Sequence, residues 1–92
     1  MQNDTSDAYK NNKLAVLIVD QDKTLFEGEA KSLIMPGKGN LDIGILPFHT
    51  PLYTKIYKGN IQIHTEEGDK DFPIEGGMAR VINNSVIILV GF

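Results

Sequence analysis

Between Leu14 and Val90 the apolar residues of this chain recur with a period of two. No segment carries the three-to-four-residue stripe that would bury one face of a helix. Strands therefore have to build the core. "LAVLIV" (Leu14–Val19) and "VIILV" (Val86–Val90) are short apolar runs rich in β-branched residues, while "YTKIYK" (Tyr53–Lys58) and "NIQIHT" (Asn60–Thr65) alternate apolar with polar. Turn chemistry lies between such segments: "KGN" at Lys58–Asn60, "EEGD" at Glu66–Asp69, and the pair Asn83 and Asn84, whose side-chain type tolerates positive φ. Each is expected to connect a hairpin. "EGG" at Glu75–Gly77 suits a bulge or a crossover between sheets, and Pro73 places its strand at an edge or a bulge. About eight to ten short strands at this spacing are typical of antiparallel sandwiches and barrels.

In a two-layer sandwich one face of each strand meets the core and the other meets water, so strands should alternate. "LAVLIV", "VIILV" and, over a shorter stretch, "SLIMP" (Ser32–Pro36) are apolar on both faces. Two readings stay open. Either these are central strands whose outer faces are shielded by loops, or another protein covers an outer face, since contiguous exposed apolar patches are uncommon on monomers.

The chain has 92 residues, which fit one domain. Its opening, residues 1–13, is polar with no apolar run and is expected to be a loose tail, not a signal peptide, which leaves 14–92 as the folded domain. There is no cysteine, so neither a disulfide nor thiolate chemistry is available. A net charge of -3 without a basic cluster argues against nucleic acid and anionic membrane as partners. No stretch approaches the roughly 18 apolar residues of a membrane span.

Catalytic constellations are missing as well. His49 and His64 are the only histidines, and neither has metal-ligand spacing. Ser32 and Ser85 lack a GxSxG elbow. Asp20, Asp22, Glu27 and Glu29 cluster around a turn, where a solvated edge is the simpler reading than a carboxylate pair. "GKGN" (Gly37–Asn40) is followed by a strand, whereas a phosphate-binding loop leads into a helix. No catalytic residue, metal or cofactor is therefore expected.

"GILPFHTPLYTKIYKGNIQI" (Gly44–Ile63) closely resembles a signature of the ε subunit of F-type ATP synthases, called δ in mitochondria. The family pattern there is Gly-Ile-x-Pro-x-His-x-Pro-Leu, a strand, a glycine turn and Ile-x-Ile. "LAVLIVDQDKTLFEGEAKSLIMPGKGNLDIG" is similar to the family's first strands with their Phe-x-Gly and glycine loop, and "FPIEGGMARVINNSVIILV" to its Gly-Gly-x-x-x-Val segment and last strand. The resemblance covers Leu14 to Val90.

It implies a flattened β-sandwich that does no bond chemistry. The domain would be a rotor subunit in the central stalk, packed on the γ subunit and resting on the c-ring, and would couple ion-driven rotation to ATP synthesis. Carried over by position, Lys38, Gly39, Asn40, Leu41 and Asp42 correspond to the c-ring-facing loop, and Asp20, His49 and Thr54 to positions near γ. Thr54 alternates with Leu52 and Ile56, which puts it on the inward side of a strand. The resemblance further implies a peripheral place on the cytoplasmic face of the inner (plasma) membrane, without insertion, and a chain that is monomeric on its own. Many family members continue into a C-terminal helical hairpin that regulates ATP hydrolysis. Here the sequence ends at "VGF", and two readings stay open: a chain cut at the domain boundary, or a naturally short form without that hairpin, which the first residue Met1 slightly favours. The alternative is an autonomous carbohydrate- or peptide-binding sandwich, for which Tyr53 and Tyr57 are the only sequence hint.

Overall fold

Nine strands make up most of the computed structural model, which describes residues 12–91. They are β1 (Leu14–Asp20), β2 (Lys23–Ala30), β3 (Ser32–Pro36), β4 (Asp42–Ile45), β5 (Leu52–Ile56), β6 (Gly59–Thr65), β7 (Gly68–Ile74), β8 (Gly77–Ile82) and β9 (Ser85–Val90). A single 3-10 turn, Lys38–Asn40, joins β3 to β4. The expected tail falls outside the described residues except for Asn12 and Lys13.

The strands form a five-stranded sheet in the order β2-β1-β9-β8-β5 and a four-stranded sheet in the order β4-β3-β6-β7. All pairs are antiparallel except β1 with β9, which run parallel in register from Ala15↔Ser85 to Asp20↔Val90. A parallel pair needs a long connection. Here the rest of the domain supplies it.

The two runs that are apolar on both faces, β1 and β9, are the interior strands of the larger sheet. Their inward residues Leu14, Val16, Ile18, Val86, Ile88 and Val90 meet Leu33, Met35, Ile61 and Ile63 from the other sheet in one buried cluster. Each fully buried aliphatic side chain of this kind contributes about 1.5–3 kcal/mol. One register shift between Ile18 and Val19 leaves Leu25 as an extra residue on β2, a bulge that lets Leu25 and Phe26 both pack against the core. Phe26 then meets Phe72 of β7, ring centroids 5.8 Å apart and tilted by 59°, where an edge of one sheet faces an edge of the other.

Turn chemistry accounts for two of the hairpins. Asn83 and Asn84 take φ of 51° and 62° between β8 and β9, the pair of left-handed residues that a two-residue hairpin turn requires. In the β6–β7 turn the hydroxyl of Thr65 donates to Gly68 O at 2.7 Å and accepts from Glu67 N at 3.1 Å. Pro73 sits on β7, an edge strand, as expected. "EGG" carries the chain from β7 in one sheet to β8 in the other, the crossover alternative.

"KGN" is a correction: Lys58–Asn60 is not a hairpin turn but a crossover from β5 in the larger sheet to β6 in the smaller. The alternation of both flanking strands shows which residues face inward, but not which sheet each strand joins. The change of sheet is fixed by Tyr57 N donating to Pro36 O at 2.9 Å. It also depends on Gly59, where an added Cβ would come within 2.8 Å of the Pro36 ring.

These positions separate inward from outward residues on one strand. Ile88→Ala, at a fully buried position, is expected to cost about 2–5 kcal/mol in urea unfolding. Leu89→Ala, outward on the same strand, should cost about 0.5 kcal/mol or less. Equal losses would show that the outward side chain is part of the core.

Candidate functional site: the outer face of the five-stranded sheet

Strand register assembles the outward side chains of the larger sheet into rows. Glu27, Leu17, Ile87, Arg80 and Tyr53 form one row across β2, β1, β9, β8 and β5. Thr24, Val19, Leu89, Met78 and Lys55 form the next. The result is an apolar strip, with Leu89 41%, Met78 47% and Tyr53 71% exposed to solvent. Its flanks are charged: Glu27 and Glu29 on the β2 side, Lys55 on the β5 side. A shallow depression lined by Tyr53, Met78, Arg80, Ile87 and Leu89 lies in the strip.

The outer face of the smaller sheet is different. It presents Asn60, Gln62 and His64 from β6, and Asp69, Asp71 and Pro73 from β7, with Ile34 as its large exposed aliphatic residue. Thus "SLIMP" contributes one outward apolar side chain to a polar surface, while "LAVLIV" and "VIILV" together make a patch. His64 and Asp69 pair across β6 and β7 at 2.6 Å on this polar face.

The loop Lys38, Gly39, Asn40, Leu41 and Asp42 is exposed throughout, and Leu41, where the turn closes, is 73% exposed. Gly39 and Asn40 take φ of 66° and 65° in succession, and the turn is closed by Gly37 N donating to Leu41 O and Leu41 N to Lys38 O. Gly37 has to be glycine, because an added Cβ would run into the Leu41 carbonyl. A compact, protruding turn results.

Asp20, His49 and Thr54 are not brought together. Asp20 ends β1 beside Gly91, at the same end of the sandwich as the Lys38–Asp42 loop. His49 lies at the opposite end, in the crossover from β4 to β5. Thr54 is half-buried between Leu52 and Ile56 on the inward side of β5, as its alternation implied, with its hydroxyl donating to Lys55 O at 3.0 Å.

His49 stabilises its own loop. Its N–H donates to Leu46 O at 3.2 Å, and its ring Nδ1 lies 2.7 Å from Thr50 O. A carbonyl only accepts, so Nδ1 carries the proton. Pro47 then occupies the first central position of a turn and Phe48, with φ of 68°, the second. That is the type II arrangement, normally given to glycine or asparagine. Pro47 thus shapes a turn here and does not hold the chain extended. Phe48 N donates to Asn84 Oδ1 at 2.5 Å, and Asn84 O accepts from Ala15 N at 2.8 Å. Asn84 therefore ties the loop, the β8–β9 turn and β1 together. The sequence reading missed this clasp because the partners are far apart in the chain.

Other candidates carry little chemistry. Among the described residues no group of three or more His, Cys, Asp or Glu could hold a metal ion. One face of the half-buried Tyr57 ring is taken up by the Lys55 ammonium, 5.3 Å from its centroid. Among the described residues no helix is long and apolar enough to cross a membrane.

Two packed sheets, one of them with an apolar outer face, place the described residues in the class of β-sandwich domains. The sequence model described as ATP synthase, Delta/Epsilon chain, beta-sandwich domain, matches residues 13–91, and the chain belongs to this family. Curated relatives include the ATP synthase epsilon chain of Bordetella avium, 38% identical over 77 residues, and that of Leptospira interrogans, 40% identical over 78. These alignments cover 83% and 85% of this chain, which spans 54% and 61% of the length of the two relatives. Among solved structures, the fold is similar to a chain of the Euglena gracilis mitochondrial ATP synthase OSCP/F1/c-ring assembly. The TM-score is 0.80 at 18% identity, covering 88% of this chain and 52% of that one.

The Asn84 clasp is testable. Asn84→Gly keeps the left-handed backbone but removes the acceptor for Phe48 N, and is expected to cost about 1–2 kcal/mol in thermal unfolding. Faster hydrogen exchange at the Phe48 amide should accompany that loss. Asn84→Asp retains an acceptor oxygen and should stay within about 0.5 kcal/mol of the unmodified chain.

Proposed function

We propose that this chain is a non-catalytic stalk subunit of an F-type ATP synthase, and that the outer face of its five-stranded sheet binds the γ subunit. The observation that carries the proposal is the contiguous apolar strip of Leu17, Val19, Ile87, Leu89 and Met78 on a chain of this family. A sandwich needs inward apolar residues for its core. These outward ones lie outside the buried core, Leu17, Val19 and Ile87 half-buried and Leu89 and Met78 exposed, and a contiguous apolar surface is the usual mark of one covered by a partner.

The protruding turn Lys38–Asp42 is proposed to rest on the polar loops of the c-ring. It stands at the opposite end of the sheets from the Asn84 clasp, so one end would face the ring while the strip runs along γ. Asp20 and His49, at the two ends, are proposed as contacts at the rim of the γ interface. Thr54 faces inward, and because β5 is an edge strand a γ contact there would reach its backbone. Rotation would pass through a body held by short hairpins and by Pro47 and Pro51, whose fixed φ limits bending of the crossover. No bond is made or broken in this chain. Coupling ion-driven rotation to ATP synthesis belongs to the assembly, within which this chain would sit peripherally on the cytoplasmic face of the membrane.

An interface of this kind buries about 800 Å² per partner, and the apolar strip would supply most of the holding free energy. Contacts of Lys38 and Asp42 with the ring would be exposed, and so weaker and screened by salt.

The reading is tested by titrating the γ subunit of the same organism into the whole chain. Leu89→Asp places a charge in the strip and is expected to weaken binding at least tenfold, about 1.4 kcal/mol or more. Lys70→Glu, on an edge strand of the other sheet, should leave it unchanged. Binding of glycans or peptides by the strip, with no affinity for γ, would favour the autonomous binding module instead.

A further inference from the structure

Arg80 stands in the middle of the apolar strip rather than on its rim. Its cross-strand neighbours in the same row are Ile87 and Tyr53, and along β8 the outward residues on either side of it are Met78 and Ile82. All four are apolar or aromatic. Among the described residues Arg80 has no ion pair and no hydrogen-bond partner for its guanidinium, and its side chain is exposed. Water satisfies its five donors while the face is open.

A partner that covers Leu17, Ile87, Leu89 and Met78 also covers Arg80. Burying an unpaired guanidinium is costly enough to cancel much of the gain from the apolar contacts around it. None of the neighbours in the strip carries an acceptor side chain suited to it, so the acceptor has to come from the partner. A carboxylate fits best, because its two oxygens match the planar fork of the guanidinium.

The same row ends in a charge of opposite sign. Glu27 lies three strands away, about 14 Å at the usual interstrand spacing of about 4.8 Å. No ion pair of Glu27 is present among the described residues, whereas neighbouring Glu29 meets Lys13 at 3.8 Å. Read across the sheet, the face is a carboxylate, two aliphatic residues, a guanidinium and an aromatic ring.

The geometry points to a charge-coded interface in which Arg80 receives a carboxylate from the covering subunit and Glu27 meets a cation about 14 Å away. The pair brackets the Leu17–Ile87 contact and sets the orientation in which the partner docks. This inference rests on the reading of the strip as the γ-binding face and adds to it the specificity device within that face. Arg80 is the specificity-determining residue, because it is central and becomes desolvated. Glu27 lies at the rim and acts mainly on the rate of encounter.

The test measures the binding kinetics of the whole chain with the γ subunit of the same organism, using Arg80→Gln, Arg80→Glu, Glu27→Gln and Leu89→Asp. Arg80 and Glu27 are exposed, and circular dichroism of each variant checks that the sandwich is intact. Arg80→Gln is expected to weaken binding about 30-fold or more, mainly through faster dissociation, and Arg80→Glu to weaken it further. Glu27→Gln should slow association by several-fold and flatten its salt dependence. Replacing a single γ carboxylate by lysine should restore binding to the Arg80→Glu variant.

If Leu89→Asp abolishes binding while both Arg80 variants bind like the unmodified chain, the charge-coded interface is overturned and the γ-facing reading stands. If the unmodified chain does not bind γ, or Leu89→Asp binds as well as it does, the reading of the face fails and takes the inference with it.

Discussion

The parallel pairing of β1 with β9 holds the structure in its present form. These two strands come from opposite ends of the domain, and their six paired positions put Leu14–Asp20 and Ser85–Val90 side by side in the middle of the larger sheet. Their inward residues supply six of the sixteen described residues of the buried core, and β2 and β8 attach on either side. Without that pairing the sheet would divide into the β1–β2 hairpin and a three-stranded piece, β9-β8-β5, and a two-stranded hairpin is marginal on its own in water.

The same pairing creates the proposed docking surface. Residues outward on β1 and β9, Leu17, Val19, Ile87 and Leu89, are placed next to each other only because the strands run parallel in this register. A shift by one residue would turn them inward and expose the core set instead. Core packing and the docking strip are therefore two faces of one set of strand contacts. The smaller sheet offers a polar contrast: Asn60, Gln62, His64, Asp69 and Asp71 are exposed on its outer face.

Much of this was legible in the sequence because it depends on local pattern. Alternation marked the inward residues of β6, left-handed asparagines marked the β8–β9 turn, and the doubled apolar character of β1 and β9 marked them as interior strands. Sheet membership was less accessible. "KGN" reads as a hairpin turn, yet its flanking strands belong to different sheets, and the contact of Tyr57 with Pro36 that decides this spans 21 residues of chain. The site was legible as a kind of surface, not as a set of residues. Asp20, His49 and Thr54 match family positions one by one but lie at two ends and on an inward side. Arg80 was invisible as a special residue, since a lone arginine in an alternating strand is ordinary until register shows what surrounds it.

The central claim is that the larger sheet's outer face, and not the smaller sheet's, is covered in the assembly. Hydroxyl-radical footprinting of the chain, free and within an assembly reconstituted with γ and the c-ring, reads side-chain exposure directly. Tyr53, Met78 and Leu89 report on one face, and Ile34 and His64 on the other. The account predicts strong loss of modification at Tyr53, Met78 and Leu89 on assembly, with Ile34 and His64 modified as before. Protection of Ile34 and His64 with undiminished modification of Met78 and Leu89 would contradict it.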